Sequence, residues 1–207
     1  MPPRGVFVTG SDTGVGKTVV SAVLARAWDA DYWKPVQTGL AEDPGDTQAV
    51  RDLAGLPEER LHAPRYGLQA PLSPDAAAAA EGVRIGLGDF ALPASARPVV
   101  VEGAGGVLVP LNEQALMIEL IARLGLPAVV AAQDRLGAIN HTLLTLEALR
   151  ARRIEVLGVV LTGGPFADNR AAIERHGGVR ILAALPWAAR LDAAQVAAWA
   201  GRIAPLA

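Results

Sequence analysis

Residues 10–18 read GSDTGVGKT and combine glycines, a lysine and a threonine at nearly the spacing of a phosphate cradle, with one residue too many. The common form is G-x-x-x-x-G-K-[ST]. Counted back from Gly16, Lys17 and Thr18, its leading glycine belongs at position 11; that position is Ser11, and the glycine is Gly10. The chemistry on offer is polyphosphate binding. Glycines let backbone N–H groups turn inward around phosphate oxygens, and a helix beginning near Gly16 adds the positive end of its dipole. Lys17 can reach the outer phosphates, and Thr18 can set a hydroxyl on Mg²⁺. The competing reading is a plain glycine turn; a G-K-T triplet between an apolar strand and a helix speaks against it.

Four further stretches carry candidate chemistry. YWKPVQTG (32–39) ends a strand on Lys34, and Pro35 blocks its continuation. A lysine there points into the same crevice as the loop, although the stretch by itself favours a lysine snorkelling at the surface. EDPGDTQAV (42–50) offers Asp46 ahead of a helix, as an N-cap, a Mg²⁺ ligand, or both. VVVEGAGG (99–106) sets Glu102 after three valines at the end of a buried strand. A carboxylate there needs a partner, and nucleotide-bound Mg²⁺ is one. The glycines that follow let the chain pass close to a ligand. LGAINH (136–141) opens a helix, where Asn140 can cap or the helix start can receive a carboxylate. His62, His141 and His176 are isolated, without metal-ligand spacing, and receive no role.

These residues need a scaffold, and the pattern alternates strand and helix. GVFVTG (5–10) reads as a buried strand and 16–28 as the helix after the loop. DYWKP (31–35), PVVVEGAGG (98–106), PAVVAA (127–132), VLGVVLTGG (156–164) and VRILAALP (179–186) read as further strands. In 138–152, Ile139, Leu143, Leu146 and Leu149 recur at helical spacing; helices are also expected near 114–124, 167–176 and 192–202. Wholly apolar strands separated by helices imply a parallel sheet covered on both faces. The proline-rich region 40–97 reads as an insertion with short helices within a single domain, 1–207. In open α/β sheets ligands sit beyond the carboxyl ends of the strands, and the loop, Lys34, Glu102 and Thr162 all fall at such ends.

The bulk numbers narrow the function classes. The chain has 207 residues, 51% hydrophobic and 19% charged, which is globular. A net charge of −2 gives no general attraction to nucleic acid or anionic lipid. The absence of cysteine excludes disulfides, thiolate metal sites and a cysteine nucleophile, and fits a cytoplasmic protein. No apolar run reaches the ~18 residues of a membrane span, and the short GVFV run leading into the loop reads as no signal peptide.

Taken together, these stretches resemble the dethiobiotin synthetase family. Its loop reads G-x-D-T-x-V-G-K-T, which residues 10–18 match, so the extra residue is the family's own spelling. KPV…TG at 34–39, an Asp after an acidic loop, PLSPD at 71–75, EGAGG at 102–106, LG-x-INH at 136–141 and PW at 186–187 follow in family order, across residues 5 to 187. The resemblance implies a P-loop NTPase-like three-layer α/β fold with a mainly parallel sheet flanked by helices. It implies ATP-dependent ring closure of 7,8-diaminononanoate with CO₂ (or bicarbonate), through a carbamate and a carbamic-phosphoric anhydride, by a homodimer. It implies catalytic roles for Thr13, Lys17 and Lys34, with Mg²⁺ held by Thr18, Asp46 and Glu102. Nucleotide contacts would come from Gly14, Val15, Gly16, Lys17, Thr18 and Val19, from Asp46, Glu102, Gly103, Ala104 and Gly105, and from Thr162, Gly163, Leu185, Pro186 and Trp187. Thr38 and Asn140 would touch the substrate, Asn140 across the dimer.

Two departures from the family pattern stand out. Gly14 occupies a position that is Glu in many members, and Thr162-Gly163 replace the adenine-reading Asn. The rival class is a partition- or septum-placement-type ATPase switch. Its loop usually carries a second, early lysine, absent from residues 10–16, and its membrane form needs a basic amphipathic C-terminal helix, whereas LDAAQVAAWAGRIAPLA holds one Arg and one Asp. A related ligase acting on cobalamin precursors would need a glutaminase domain, for which the chain has neither room nor cysteine.

Overall fold

A computed structural model describes residues 4–164 and 167–206. In chain order the elements are β1 (Gly5–Gly10), α1 (Lys17–Ala27), β2 (Asp31–Trp33), β3 (Val36–Gln37), α2 (Asp46–Ala54), β4 (Leu61–His62), β5 (Tyr66–Gly67) and α3 (Pro74–Ala80). There follow β6 (Val99–Gly106), β7 (Pro110–Asn112), β8 (Ala115–Leu116), α4 (Met117–Leu124), β9 (Ala128–Asp134), α5 (Ala138–Ala151), β10 (Val156–Gly163), α6 (Ala167–Gly177), β11 (Ile181–Pro186) and α7 (Ala193–Ala200). Seven strands form one sheet in the order β11-β10-β9-β1-β6-β2-β4, every neighbouring pair parallel. β3 pairs with β5 and β7 with β8 in two small ribbons.

The alternation of side chains along each strand builds two cores. In β1, Val6 and Val8 face one way and Phe7 the other; in β6, Val100 opposes Val99 and Val101. The first face packs on Val20, Val23 and Leu24 of α1, Val50 of α2, and Val196 and Trp199 of α7. The second packs on Leu120 and Ile121 of α4, Leu146 and Leu149 of α5, and Ile173 of α6. Three layers result, and every crossover brings the chain back so that the carboxyl ends of the strands lie together.

Several expectations are corrected. The region 40–97 contributes a strand to the main sheet as well as helices: β4 pairs with β2 through Tyr32↔Leu61 and Trp33↔His62. Its Leu68, Ala77, Ile85 and Phe90 join the second core. The helix expected at 114–124 starts at Met117, because Ala115 and Leu116 pair back onto β7. The periodic leucine face of α5 is only partly the buried one: Leu146 and Leu149 are buried with Thr142 and Thr145, while Ile139 and Leu143 are partly exposed. Among the described residues, no helix is long and apolar enough to cross a membrane.

Candidate active site

The loop sits between β1 and α1 and resolves the misplaced glycine. A Cβ at Gly10 would lie 2.6 Å from the Asp12 carbonyl oxygen, 2.9 Å from Val15 Cγ2 and 3.0 Å from Lys17 Nζ. The chain folds back over position 10, so glycine is required there, while Ser11 only hands its N–H to Ala131 O at 2.9 Å. Gly14 and Gly16 have φ of +72° and +82°, the left-handed region that glycine enters freely. Gly16 is the N-cap of α1, so the positive helix end opens toward the loop's hollow. Lys17 Nζ donates to Asp12 O at 3.1 Å. Burial, and then the charge of Lys34, lower the Lys17 ammonium to about 8.

A cavity of about 460 Å³ opens before the loop. Of the candidate residues it is lined by Thr13, Gly14, Gly16, Lys17, Thr18, Val19, Lys34, Thr38, Asp46, Glu102, Ala104 and Gly105. Two candidates stand behind this wall. Val15 is buried under the loop, and Gly103 contributes its carbonyl, which accepts from Lys34 Nζ at 3.0 Å. A Cβ on Gly103 would meet Phe7 Cε1 at 2.8 Å, so β6 passes too close to the core for any other residue.

The floor of the cavity is a closed polar ring. Lys34 Nζ lies 2.7 Å from Asp46 Oδ2 and 2.9 Å from Glu102 Oε1. The Thr18 hydroxyl donates to Asp46 Oδ1 at 2.5 Å and lies 3.2 Å from Glu102 Oε1. Tyr32, fully buried, donates its phenol to Glu102 Oε2 at 2.9 Å. Burial works against the charge of Lys34, but the two carboxylates outweigh it and raise its ammonium. For Asp46 burial is likewise outweighed, by Lys34 and then the Thr18 hydroxyl, and its carboxyl stays below the usual range. Tyr32 is pushed well up, by burial first and then by Glu102 and Asp46.

Three readings of single residues change here. Lys34 is 4% exposed, not a snorkelling surface lysine, because Asp46 and Glu102 offset its desolvation. Asp46 is the first residue of α2 and not its cap; Gly45 takes that place, and the Asp46 N–H is met by Gln37 Oε1 at 2.9 Å. Glu102 lies inside β6, which runs on through the glycines to Gly106. The hydroxyl of Thr18 with two carboxylates gives the hard oxygen set that Mg²⁺ takes. Among the described residues no third His, Cys, Asp or Glu joins them, which suits an ion that keeps waters and phosphate oxygens as its other ligands.

A second cleft, about 180 Å³, adjoins the loop on the other side and gathers Thr162, Gly163, Leu185, Pro186 and Trp187 against Gly14, Gly16 and Val19. Thr162 donates its hydroxyl to Val15 O at 2.9 Å and so is tied to the loop. Trp187 is 78% exposed at the rim. A third cavity, about 350 Å³, runs from Ser11–Thr13 past Gly106–Val109 to His141, Leu144, Thr145 and Ala148 of α5. Asn140 lines none of these three; it is exposed, third in α5, and the N-cap is Gly137, not Asn140. Tyr32 on Glu102, Gln37 on the Asp46 N–H and Gln133 in the second cleft add to the candidates drawn from the motifs. Of the three, Tyr32 was within reach of the sequence, since it sits two residues before Lys34 and strand alternation sends both the same way.

The chain is similar to known proteins in sequence and, more remotely, in fold. A family model described as AAA domain matches residues 4–195. The chain is 59% identical over 204 residues to the biotin biosynthesis bifunctional protein BioCD of Bordetella avium (strain 197N), covering 99% of this chain but only 44% of that protein. It is 56% identical over 194 residues to the ATP-dependent dethiobiotin synthetase BioD of Paramagnetospirillum magneticum, covering 94% of this chain and 93% of that one. The corresponding figures for the protein of the same name from Rhodopseudomonas palustris (strain ATCC BAA-98 / CGA009) are 50% over 193 residues, 93% and 91%. Among solved structures, the Pyrococcus furiosus cell division ATPase MinD aligns with a TM-score of 0.51 at 14% identity, over 96% of this chain and 98% of that one. A ParA family ATPase from Chlorobium tepidum aligns at 0.50 and 11%, over 95% and 98%. At such identities the likeness is one of fold.

Proposed function

The chain belongs to the ATP-dependent dethiobiotin synthetase family, a family of ligases, and from that premise we propose that it closes the ureido ring of dethiobiotin from 7,8-diaminononanoate and CO₂. One amine of the substrate adds to CO₂ and loses a proton, giving a carbamate. A carbamate oxygen attacks the γ-phosphorus of ATP and ADP leaves, forming the carbamic-phosphoric anhydride. The second amine then attacks the carbamoyl carbon, phosphate departs, and the ring closes. We read residues 1–207 as one P-loop unit for this chemistry.

The observation that carries the reading is the ring of Lys34, Asp46, Glu102 and Thr18 facing Lys17 across one cavity. Phosphoryl transfer asks for positioning and charge stabilisation rather than covalent help from the protein. Inward N–H groups of residues 14–18 and the start of α1 would hold the β- and γ-phosphates. Lys17 would balance phosphate charge, and Lys34 the charge that builds between carbamate and γ-phosphate. Thr18, Asp46 and Glu102 would hold Mg²⁺, which supplies Lewis-acid charge on the phosphate oxygens. Thr13 and Thr38 border the same cavity, at the place where a carbamate would approach. The adjoining cleft at Thr162–Gly163 and Leu185–Trp187 would take the nucleobase. Asn140 and the start of α5 would bind the substrate carboxylate in the site of a partner copy, which agrees with the exposure of Asn140. Exposed Leu108, Leu136 and Leu144, near that helix start, suit a buried surface in such a dimer.

The partition-type switch is not favoured, because its likeness to this chain is confined to fold. Incubation with diaminononanoate, bicarbonate, Mg²⁺ and ATP, followed by mass analysis, tests the reading. Dethiobiotin with equimolar ADP and phosphate is expected; ATP hydrolysis without dethiobiotin would refute it.

A further inference from the structure

In the polar ring on the cavity floor every donor already has an acceptor. An ammonium carries three N–H donors, and Lys34 has three acceptors: Asp46 Oδ2 at 2.7 Å, Glu102 Oε1 at 2.9 Å and Gly103 O at 3.0 Å. The single hydroxyl hydrogen of Thr18 goes to Asp46 Oδ1, its nearer partner. Glu102 Oε2 is held by Tyr32, buried beneath it, so this carboxylate cannot turn a fresh oxygen toward the cavity. One oxygen of each carboxylate is therefore already charge-balanced by the Lys34 ammonium, whose positive charge opposes a divalent ion that would share the pair.

We propose that Lys34 is a resident counter-ion that keeps the metal's place: a divalent cation can enter only as the ammonium gives up at least one of its two carboxylates, and Tyr32 fixes Glu102 for both occupants. Asp46 is part-exposed and sits at a helix start, whereas Glu102 is 1% exposed within a strand. The contact to Asp46 is thus the one to break. A displaced ammonium needs new acceptors, because an unpaired cation beside Lys17 in a buried site is strongly disfavoured. Polyphosphate oxygens supply them. Metal and nucleotide would then enter as a pair, and metal alone would bind poorly. The proposal rests on reading Asp46 and Glu102 as metal ligands.

Mn²⁺ serves as the probe, with the free ion counted by electron paramagnetic resonance, in the intact chain with and without ADP. The parent should bind Mn²⁺ weakly alone and tightly with ADP. Lys34→Met and Lys34→Gln should each bind Mn²⁺ without nucleotide about tenfold or more tightly than the parent, since the competing charge is gone. Lys34→Gln retains an amide donor for Glu102 and guards against loss of fold in the methionine variant; far-ultraviolet circular dichroism checks both. Nucleotide-free affinity unchanged or weaker in a folded Lys34→Gln protein overturns the proposal. Failure of the parent to bind Mn²⁺ even with ADP overturns instead the reading of Asp46 and Glu102 as ligands.

Discussion

Nucleotide affinity should fall as pH rises through the range where Lys17 loses its proton. In the nucleotide-free protein, burial and then the neighbouring Lys34 bring this ammonium down to about 8 from the ordinary value of 10.5. Phosphate oxygens favour the charged form, so the bound state holds the proton to higher pH than the free state. Binding is therefore linked to proton uptake above pH 8, and affinity declines with increasing pH, by up to tenfold per unit. With a free-state value of about 8, the protonated fraction is about 0.76 at pH 7.5 and about 0.03 at pH 9.5, so the dissociation constant should rise about 25-fold between them. The nucleotide's terminal phosphate, with its last pKa near ~6, is fully ionised over that window and adds no trend of its own. The assay is calorimetric titration with ADP and no metal, which leaves Asp46 and Glu102 outside the measurement. Lys17→Arg keeps a charge at every pH tested and should flatten the profile. A parent protein whose ADP affinity stays constant from pH 7.5 to 9.5 would refute the reasoning.

Other consequences can be measured separately. Gly10→Ala drives a methyl group into Asp12 O and Lys17 Nζ; stability should drop by about 1–3 kcal/mol and nucleotide affinity by about tenfold or more, while Ser11→Gly stays within about threefold, and normal binding by Gly10→Ala sinks the reading. Thr162 has committed its hydroxyl to Val15 O, and Gly163 offers only backbone, so kcat/KM should differ by less than about tenfold among ATP, CTP, GTP and UTP; a preference above about a hundredfold contradicts this, since that is near the most a paired base contact supplies. Lys34→Ala should lose about 10²–10³ in rate as a preorganised charge donor, and a variant within about threefold of the parent removes it from catalysis. Mixing the inactive Lys34→Ala and Asn140→Ala proteins should restore activity to one site of each mixed dimer; no recovery with subunit exchange confirmed argues against a shared site.

Most of the layering was readable because the determinants are local. Runs such as Val99–Val101 and Val129–Val130 are β-branched and alternate with helical stretches, and the first of them stops in glycines. Phosphate-loop chemistry was readable for the same reason, since Gly10 to Thr18 are contiguous. What escaped depends on partners distant in the chain. Burial of Lys34 depends on Asp46 and on Glu102, 68 residues on, so no short window around Lys34 reveals it. Thr162 is tied to Val15 across 147 residues, and its local sequence says only that a strand ends there. β4 has two residues, too few to show alternation, and is a strand because Tyr32 and Trp33 offer an edge to pair with. The misjudged cap at Asp46 is a one-residue error, caused by Gly45 taking the turn into α2 at a φ of +91°, which glycine adopts freely.

The strand that leads into the loop lies in the middle of the sheet, bonded to β6 on one side and β9 on the other. Those neighbours are encoded about a hundred residues after it, which has a consequence for biosynthesis. By the time residue 95 has been added, the whole phosphate loop has left the ribosome, but nothing that can hold β1 in place. Contacts of such large separation in sequence form slowly and late. The emerging chain would thus carry Gly5–Gly10 as an unpaired apolar segment until residue 134 has cleared the exit tunnel, and ATP could not rescue it by binding early. The interval during translation between those two points would be a period of exposure to aggregation and to chaperone capture.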